Sequence, residues 1–193
     1  MKTIVIVEYD PAWRLHFEEL RRPLAAALGD IALSIEHVGS TSVPGLAAKP
    51  IVDISVVVRD EAQVPAAIER LATIGYAHQG NLGIEGREAF GSPPGPIAHH
   101  LYVCPQRSPG LANHLAVRDH LRAHPDAARE YGELKMRLAR EFPHDIESYI
   151  AGKTDFLLRI LRLSGFASQQ LEAVEAANRI KGTKATTLTR GNP

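Results

Sequence analysis

The chain holds a single cysteine, Cys104, among its 193 residues. That excludes an intramolecular disulfide and any zinc pattern built on paired cysteines. Neither sign of charge is in excess: 22 lysines and arginines face 22 aspartates and glutamates, for a formal sum of zero. Sequence-independent grip on nucleic acid needs surplus cations to neutralise phosphates, so general nucleic-acid binding is not expected. Long apolar runs are also missing, which argues against a membrane-spanning segment. The opening residues 1–11 are interrupted by Glu8 and Asp10 and lack a small-residue cleavage site, so they read as a strand rather than a signal peptide. What is present is 45% hydrophobic residues, enough for a core and too many for a disordered chain. The expectation is one cytoplasmic domain of ordinary size, without membrane association.

Along the chain, strand signals come first and helix signals second. Residues 3–7 are rich in β-branched side chains, and Asp10-Pro11 is a helix start that leads to Leu28 and a stop at Gly29, with Pro23 kinking or dividing the helix. A second strand over 32–38 enters the Gly-, Ser- and Pro-rich run GSTSVPGLAAKP, a loop by composition. Residues 51–58, IVDISVVV, read as a strand buried on both faces and broken by one carboxylate, Asp53. A helix over 61–74 follows, then a Gly/Pro-rich stretch, 76–104, that suits two or three strands. Amphipathic segments over 110–124, 125–142 and 145–164 are bounded by His-Pro and Phe-Pro-His-Asp, and a weaker helix spans 167–180. The tail 181–193 carries cations, no carboxylate side chain and almost nothing to bury, so it is expected to fray. The pattern predicts an α+β domain over 1–164, sheet-rich to 105 and helical from 106, followed by a C-terminal helix and tail over 165–193.

The segment richest in chemistry is Glu36-His37-Val38-Gly39-Ser40-Thr41-Ser42, followed by Lys49-Pro50-Ile51-Val52-Asp53. Gly39 lets backbone approach a phosphate, and Ser40 and Thr41 offer hydroxyl and amide donors. Asp53 is suited to holding Mg²⁺ that bridges the same phosphates. A lone carboxylate in an apolar strand costs several kcal/mol unless it is paired, metal-bound or at an exposed strand end.

The run EHVGSTSVPGLAAKPIVDISV resembles the signature of the GrpB family, within the polymerase-beta-like nucleotidyltransferase superfamily. HHLYV, VRDHLRAHPDAAREYGELKMRLA and YIAGKTDFLLRIL resemble the family's second half, so the likeness covers roughly residues 5 to 163. It implies a nucleotidyltransferase-like mixed β-sheet flanked by helices, with a C-terminal helical layer. It also implies a Gly-Ser pair gripping a nucleotide's phosphates, here Gly39 and Ser40, and Asp53 as the first metal carboxylate. The family occurs both free-standing and appended to dephospho-coenzyme A kinase. The second carboxylate of the superfamily pattern is replaced by Ser55, a weak neutral ligand that cannot hold a second Mg²⁺. A later strand offers His100 and Tyr102 where the superfamily has an acid. Glu36 and Glu85 are the carboxylates left to supply a missing charge.

Helical periodicity adds cations. Lys153 falls near the centre of the stripe Ile146, Tyr149, Ile150, Phe156, Leu157, Ile160 and Leu161. Arg118 lies within the stripe Leu111, Leu115 and Leu121, and Lys135 at the edge of Tyr131, Leu134 and Leu138. Snorkelling stems explain any one of these, whereas two central cations on successive helices suggest a shared anionic ligand. Lys49 and Arg87 are further candidates for phosphate binding. Of nine histidines, His37, His99 and His100 are near the motif strands, and strict alternation turns His99 and His100 to opposite faces. His114, His120, His124 and His144 read as surface or cap residues, and Cys104 as a packed structural thiol.

Three functions compete. The first is a nucleotidyltransferase-like protein that binds a nucleoside triphosphate with Mg²⁺, Asp53 and Ser40 serving catalysis, and transfers a nucleotidyl group to an acceptor. The second is a catalytically degenerate fold serving as an interaction, regulatory or chaperone-like module with a protein partner. The third is a metal-dependent phosphoesterase built on His37, His100 and Asp53.

Overall fold

The molecule is described by a computed structural model that covers residues 3–180; the expected frayed tail lies outside the described residues. Five strands form one mixed sheet: β1 Ser34–Val38, β2 Val52–Val58, β3 Ala77–His78, β4 Glu88–Gly91 and β5 His99–Pro105. Their order is β1-β2-β5-β4-β3. β2 and β5 run parallel, and the other neighbours are antiparallel. Six helices accompany them: α1 Ala12–Leu28, α2 Val64–Ala72, α3 Pro109–Ala123, α4 Pro125–Glu141, α5 Ile146–Leu163 and α6 Ser168–Ile180. The expected α+β architecture is present, with a mixed sheet and a helical second half.

The even-numbered residues of β2 (Val52, Ile54, Val56, Val58) are 1% exposed or less and face α1 and α2 through Phe17, Leu24, Leu28, Ala67 and Leu71. Burying each such side chain contributes on the order of 1.5–3 kcal/mol, so this face holds the sheet. The opposite face carries Asp53, Ser55 and Val57, and α3 covers its far end, where Val57, Cys104 and Leu111 pack together. Cys104 is fully buried, and burial lifts its thiol to about 12, as befits a structural residue. The α4–α5 pair packs on the loop after β1, with Val43 and Leu46 against Leu121, Tyr131, Phe156 and Ile160. α6 closes on α5 through Leu158, Leu161 and Leu171.

Two local expectations need correction. Residues 3–7 do not join the sheet. Val7 makes an isolated antiparallel bridge to Ala48, and Ile4 is buried against Leu138, Ala139 and Tyr149. β-Branching favours an extended backbone without choosing its partner, and here the helical layer wins the side chain. Pro23 does not divide α1, which continues through it. It lies on the exposed side, where the carbonyl that loses its donor is open to solvent.

Candidate functional site: a lysine-lined cleft

The site is set by the pairing around β2. Asp53 is opposite Val38 on β1 and His100 on β5, while Ser55 is opposite Glu36 and Tyr102. These side chains share one face, because alternation along each strand puts every second residue there. Asp53 stands near the start of β2 with its side chain 28% exposed, so the strand carries its carboxylate at a solvated end rather than in the core. His100 Nδ1 donates to Asp53 Oδ1 at 2.9 Å.

Immediately after β1 the chain turns at Gly39, with φ 69° and ψ −173°, into one 3₁₀ turn over Ser40–Ser42. A Cβ on Gly39 would collide with the Asp53 carboxylate, so only glycine lets the turn close over that group. Ser42 Oγ donates to the Gly39 carbonyl at 2.6 Å, and Arg122 donates twice to the Ser42 carbonyl, at 3.0 and 2.9 Å. Arg122, on α3, thus anchors the turn. At about 100° per residue Arg122 falls between Leu111 and Leu115, on the same apolar stripe as Arg118, so periodicity marks it equally as an inward cation. Thr41 is 2% exposed; its hydroxyl donates to the Ile51 carbonyl and accepts from His37 Nε2 at 3.0 Å. That hydroxyl fixes the loop.

Between this turn and α4–α5 lies a cleft of about 480 Å³. Ser40, Thr41, Asp53 and His100 line one side, and Lys135, Tyr149 and Lys153 line the other, with Lys49 on the connecting segment. Lys49 and Lys153 both lie on the ring of Tyr149, with Nζ 4.6 and 4.7 Å from its centroid. Lys135 Nζ is 4.7 Å from the centroid of Tyr131 and donates to the Ala47 carbonyl. Lys135 is 2% exposed; burial, reinforced by Lys153, pushes its ammonium well below the usual lysine range, with Asp53 pulling the other way. Lys49, Lys135 and Lys153 thus line the cleft with amines facing a single lining carboxylate, Asp53. Sequence periodicity located Lys153 here and undervalued Lys135, whose place at a stripe edge concealed its burial.

Other expected site residues lie elsewhere. Arg118 does not line the cleft: its guanidinium donates to Glu36 Oε2 at 2.8 Å, to Asp119 and to the His37 carbonyl. The carboxylate next to it in space claims the charge that the stripe placed inward. Although burial works against it, the Arg118 contact holds Glu36 below the usual carboxylate value, so Glu36 is spent on this pair. Arg87 also lies outside the cleft wall, 7% exposed, with its guanidinium 4.3 Å from the Tyr102 ring centroid. Tyr102 screens it from the cleft, and burial, then Asp53, lifts the Tyr102 phenol to about 12.

The histidine expectations divide. His100 reaches Asp53, whereas His99 points to the other face and bonds the Tyr76 hydroxyl at 2.7 Å. His37 is also on the opposite face, stacked on Phe17 with centroids 4.7 Å apart. The His37–His100–Asp53 grouping is therefore not assembled, and among the described residues no three His, Cys, Asp or Glu side chains converge as metal ligands. His114 is no surface residue: its Nδ1 and Ser55 Oγ share a hydrogen bond of 2.9 Å, and Ser55 is fully buried. A neutral serine–histidine pair thus stands two residues on from Asp53 and adds no charged metal ligand beside it. The donor set fits one Mg²⁺ held by Asp53 together with ligand phosphates, and does not fit two.

Burial also fixes the charge of these histidines. It is the chief cause that takes His37 and His114 from 6.5 to about 4, with Arg122 adding to the effect at His37 and Arg87 at His114. The unfolded chain binds more protons than the fold between pH 4 and 6.5. Stability present above pH 6.5 is therefore expected to be lost as pH falls towards 4, by up to about 1.4 kcal/mol per pH unit for each histidine. Urea midpoints at pH 7.5, 6 and 5 check this; a flat series would contradict it.

The fold and cleft define an α+β protein with a glycine-serine turn closed over one carboxylate and a lysine-bearing helical wall. The chain belongs to the GrpB protein family, whose model matches residues 3–163. The UPF0157 protein YqkA of Bacillus subtilis is 37% identical over 156 residues, covering 81% of this chain and 46% of the relative. The UPF0157 protein PA4798 of Pseudomonas aeruginosa is 38% identical over 165 residues, covering 82% and 66%. The chain thus spans about half of the first relative's length and under two thirds of the second's. The crystal structure of the conserved protein GrpB from Enterococcus faecalis superposes with a TM-score of 0.73 at 35% identity, covering 89% of this chain and 98% of that one.

Proposed function

We propose that the cleft binds a nucleoside triphosphate, or a comparable small polyphosphate ester, together with one Mg²⁺. The observation that carries this reading is the convergence of Lys49, Lys135 and Lys153 on a cleft whose far side holds Asp53 under the Gly39–Ser40 turn. Ammonium groups on one side neutralise phosphate oxygens. Asp53 on the other would hold the cation, which supplies further charge neutralisation to the same phosphates. Ser40 lies beside Asp53, where its hydroxyl and amide are suited to donating to a phosphate. Nucleotidyl transfer to an acceptor is the reaction class to which such a cleft is suited, run with a single metal.

The buried Ser55–His114 pair supports a second reading, in which the fold binds its ligand without transfer chemistry and acts as a regulatory or interaction module. Calorimetric titration tests what the two readings share. ATP is expected to bind with Mg²⁺ present, and Asp53→Asn is expected to lower affinity at least tenfold by removing the cation's charged ligand. Equal affinity in the variant, or binding of neither ATP nor a simpler polyphosphate by the wild type, would refute it. Release of pyrophosphate in the presence of candidate acceptors then separates transfer from binding alone.

A further inference from the structure

A second pocket, of about 550 Å³, adjoins the lysine-lined cleft and shares Lys49, Ile51 and Ile146 with it. Ile4, Val5, Pro50 and Ala98 supply most of its remaining wall. The N-terminal segment that forms one side is tied in place. The Ile4 amide donates to the Pro143 carbonyl at 2.8 Å, and Val7 and Ala48 exchange two bonds of 2.9 Å. The wall is therefore a built feature of the fold rather than a loose end lying across it.

Its chemistry differs from that of the cleft. Val5 is 52% exposed and Ile146 45%, although branched aliphatics of this size are ordinarily buried. Leaving such surface in water costs about 25 cal/mol per Å², a cost that an apolar ligand would relieve. Among the described residues no Phe, Tyr or Trp ring, no carboxylate and no amide side chain lines the pocket; Thr3 and the exposed His144 add one hydroxyl and one imidazole to an otherwise aliphatic wall. It thus lacks the side-chain amides that read a base edge, and aliphatic groups make up most of its surface. Its volume is within the ordinary range for a small-molecule site. Lys49, Ile51 and Ile146 form the boundary that this pocket shares with the lysine-lined cleft.

We propose that this pocket holds the aliphatic body of an amphiphilic phosphoester whose phosphates occupy the lysine-lined cleft. The inference rests on the phosphate-binding reading of that cleft and narrows its ligand to phosphates carrying a short alkyl or prenyl chain. Lys49, shared by the two cavities, marks the junction between charged head and apolar body. The mainly aliphatic walls favour a saturated chain over a nucleobase.

Titrations of the full chain with pyrophosphate, geranyl diphosphate and ATP, each with Mg²⁺, test the assignment. Geranyl diphosphate is expected to bind at least tenfold tighter than pyrophosphate. Two neutral substitutions at exposed wall positions probe the cause: Ala98→Phe fills the pocket, and Val5→Ser removes an aliphatic wall. Both are expected to leave pyrophosphate affinity within about twofold while cutting the geranyl advantage to threefold or less; urea midpoints report that the variants fold. Equal binding of pyrophosphate and geranyl diphosphate would overturn the aliphatic assignment and leave the cleft reading standing. So would ATP binding tighter than geranyl diphosphate, or an advantage that survives in both variants. Binding of none of the three compounds would overturn both.

Discussion

Gly39→Ala is expected to destroy ligand binding and to cost the fold about 2–4 kcal/mol. Two effects combine. A φ of 69° with ψ near 180° belongs to a region that is essentially glycine's alone, so any side chain there is strained. The added methyl group is also aimed at the Asp53 carboxylate and must displace either that group or the turn. Asp53 then loses its place opposite His100, and the Ser40–Ser42 turn lifts away from the cleft. Urea unfolding and ATP titration measure the two losses separately. An alanine variant with wild-type midpoint and wild-type affinity would show that the turn is not closed over Asp53.

Lys135→Met is expected to separate binding from stability. Methionine keeps the stem's apolar packing on Tyr131 and removes an ammonium that burial disfavours. Relief of that desolvation offsets the hydrogen bond lost at the Ala47 carbonyl, so the urea midpoint is expected to hold or rise. Phosphate binding is expected to weaken about tenfold to a hundredfold, the loss of one charge-assisted hydrogen bond of about 1.5–3 kcal/mol. A pH signature accompanies it. With the ammonium disfavoured in the free protein, anion binding draws a proton onto Lys135, so wild-type affinity rises as pH falls from the lysine range towards neutrality. The methionine variant should lose that dependence. Unchanged affinity would remove Lys135 from the site.

Much of this architecture is legible in the residues. The β-branched run that becomes β2, the helix boundaries at Pro125 and Asp145, and the glycine-serine turn each follow from local chemistry that the fold leaves intact. Asp53 was conspicuous because a carboxylate in an apolar strand needs a physical excuse, and the exposed strand end provides it. What stayed hidden depends on neighbours distant in sequence. Arg118 looked like a ligand cation because its stripe faces inward, yet Glu36, 82 residues away, takes its guanidinium. His114 looked like a surface residue, although Ser55, 59 residues away, buries its partner atom. The depth of Lys135 is not legible from its place at a stripe edge, because helical periodicity measures angle around an axis and not the depth of the neighbouring layer. His37 seemed close to Asp53 in the motif and lies across the sheet from it, a consequence of antiparallel register that only the Val38–Asp53 pairing fixes.

The zero net charge of the chain conceals this segregation, with one carboxylate and three lysines lining the cleft. The most direct test of a single-metal phosphate cleft is a count of bound cations. Mn²⁺, which favours the same oxygen ligands as Mg²⁺, can be dialysed with ATP to equilibrium against the protein and the excess metal on the protein side counted by elemental analysis. One Mn²⁺ per chain is expected, bound with ATP present and lost in Asp53→Asn. Two per chain, or one that persists in the variant, would contradict the assignment.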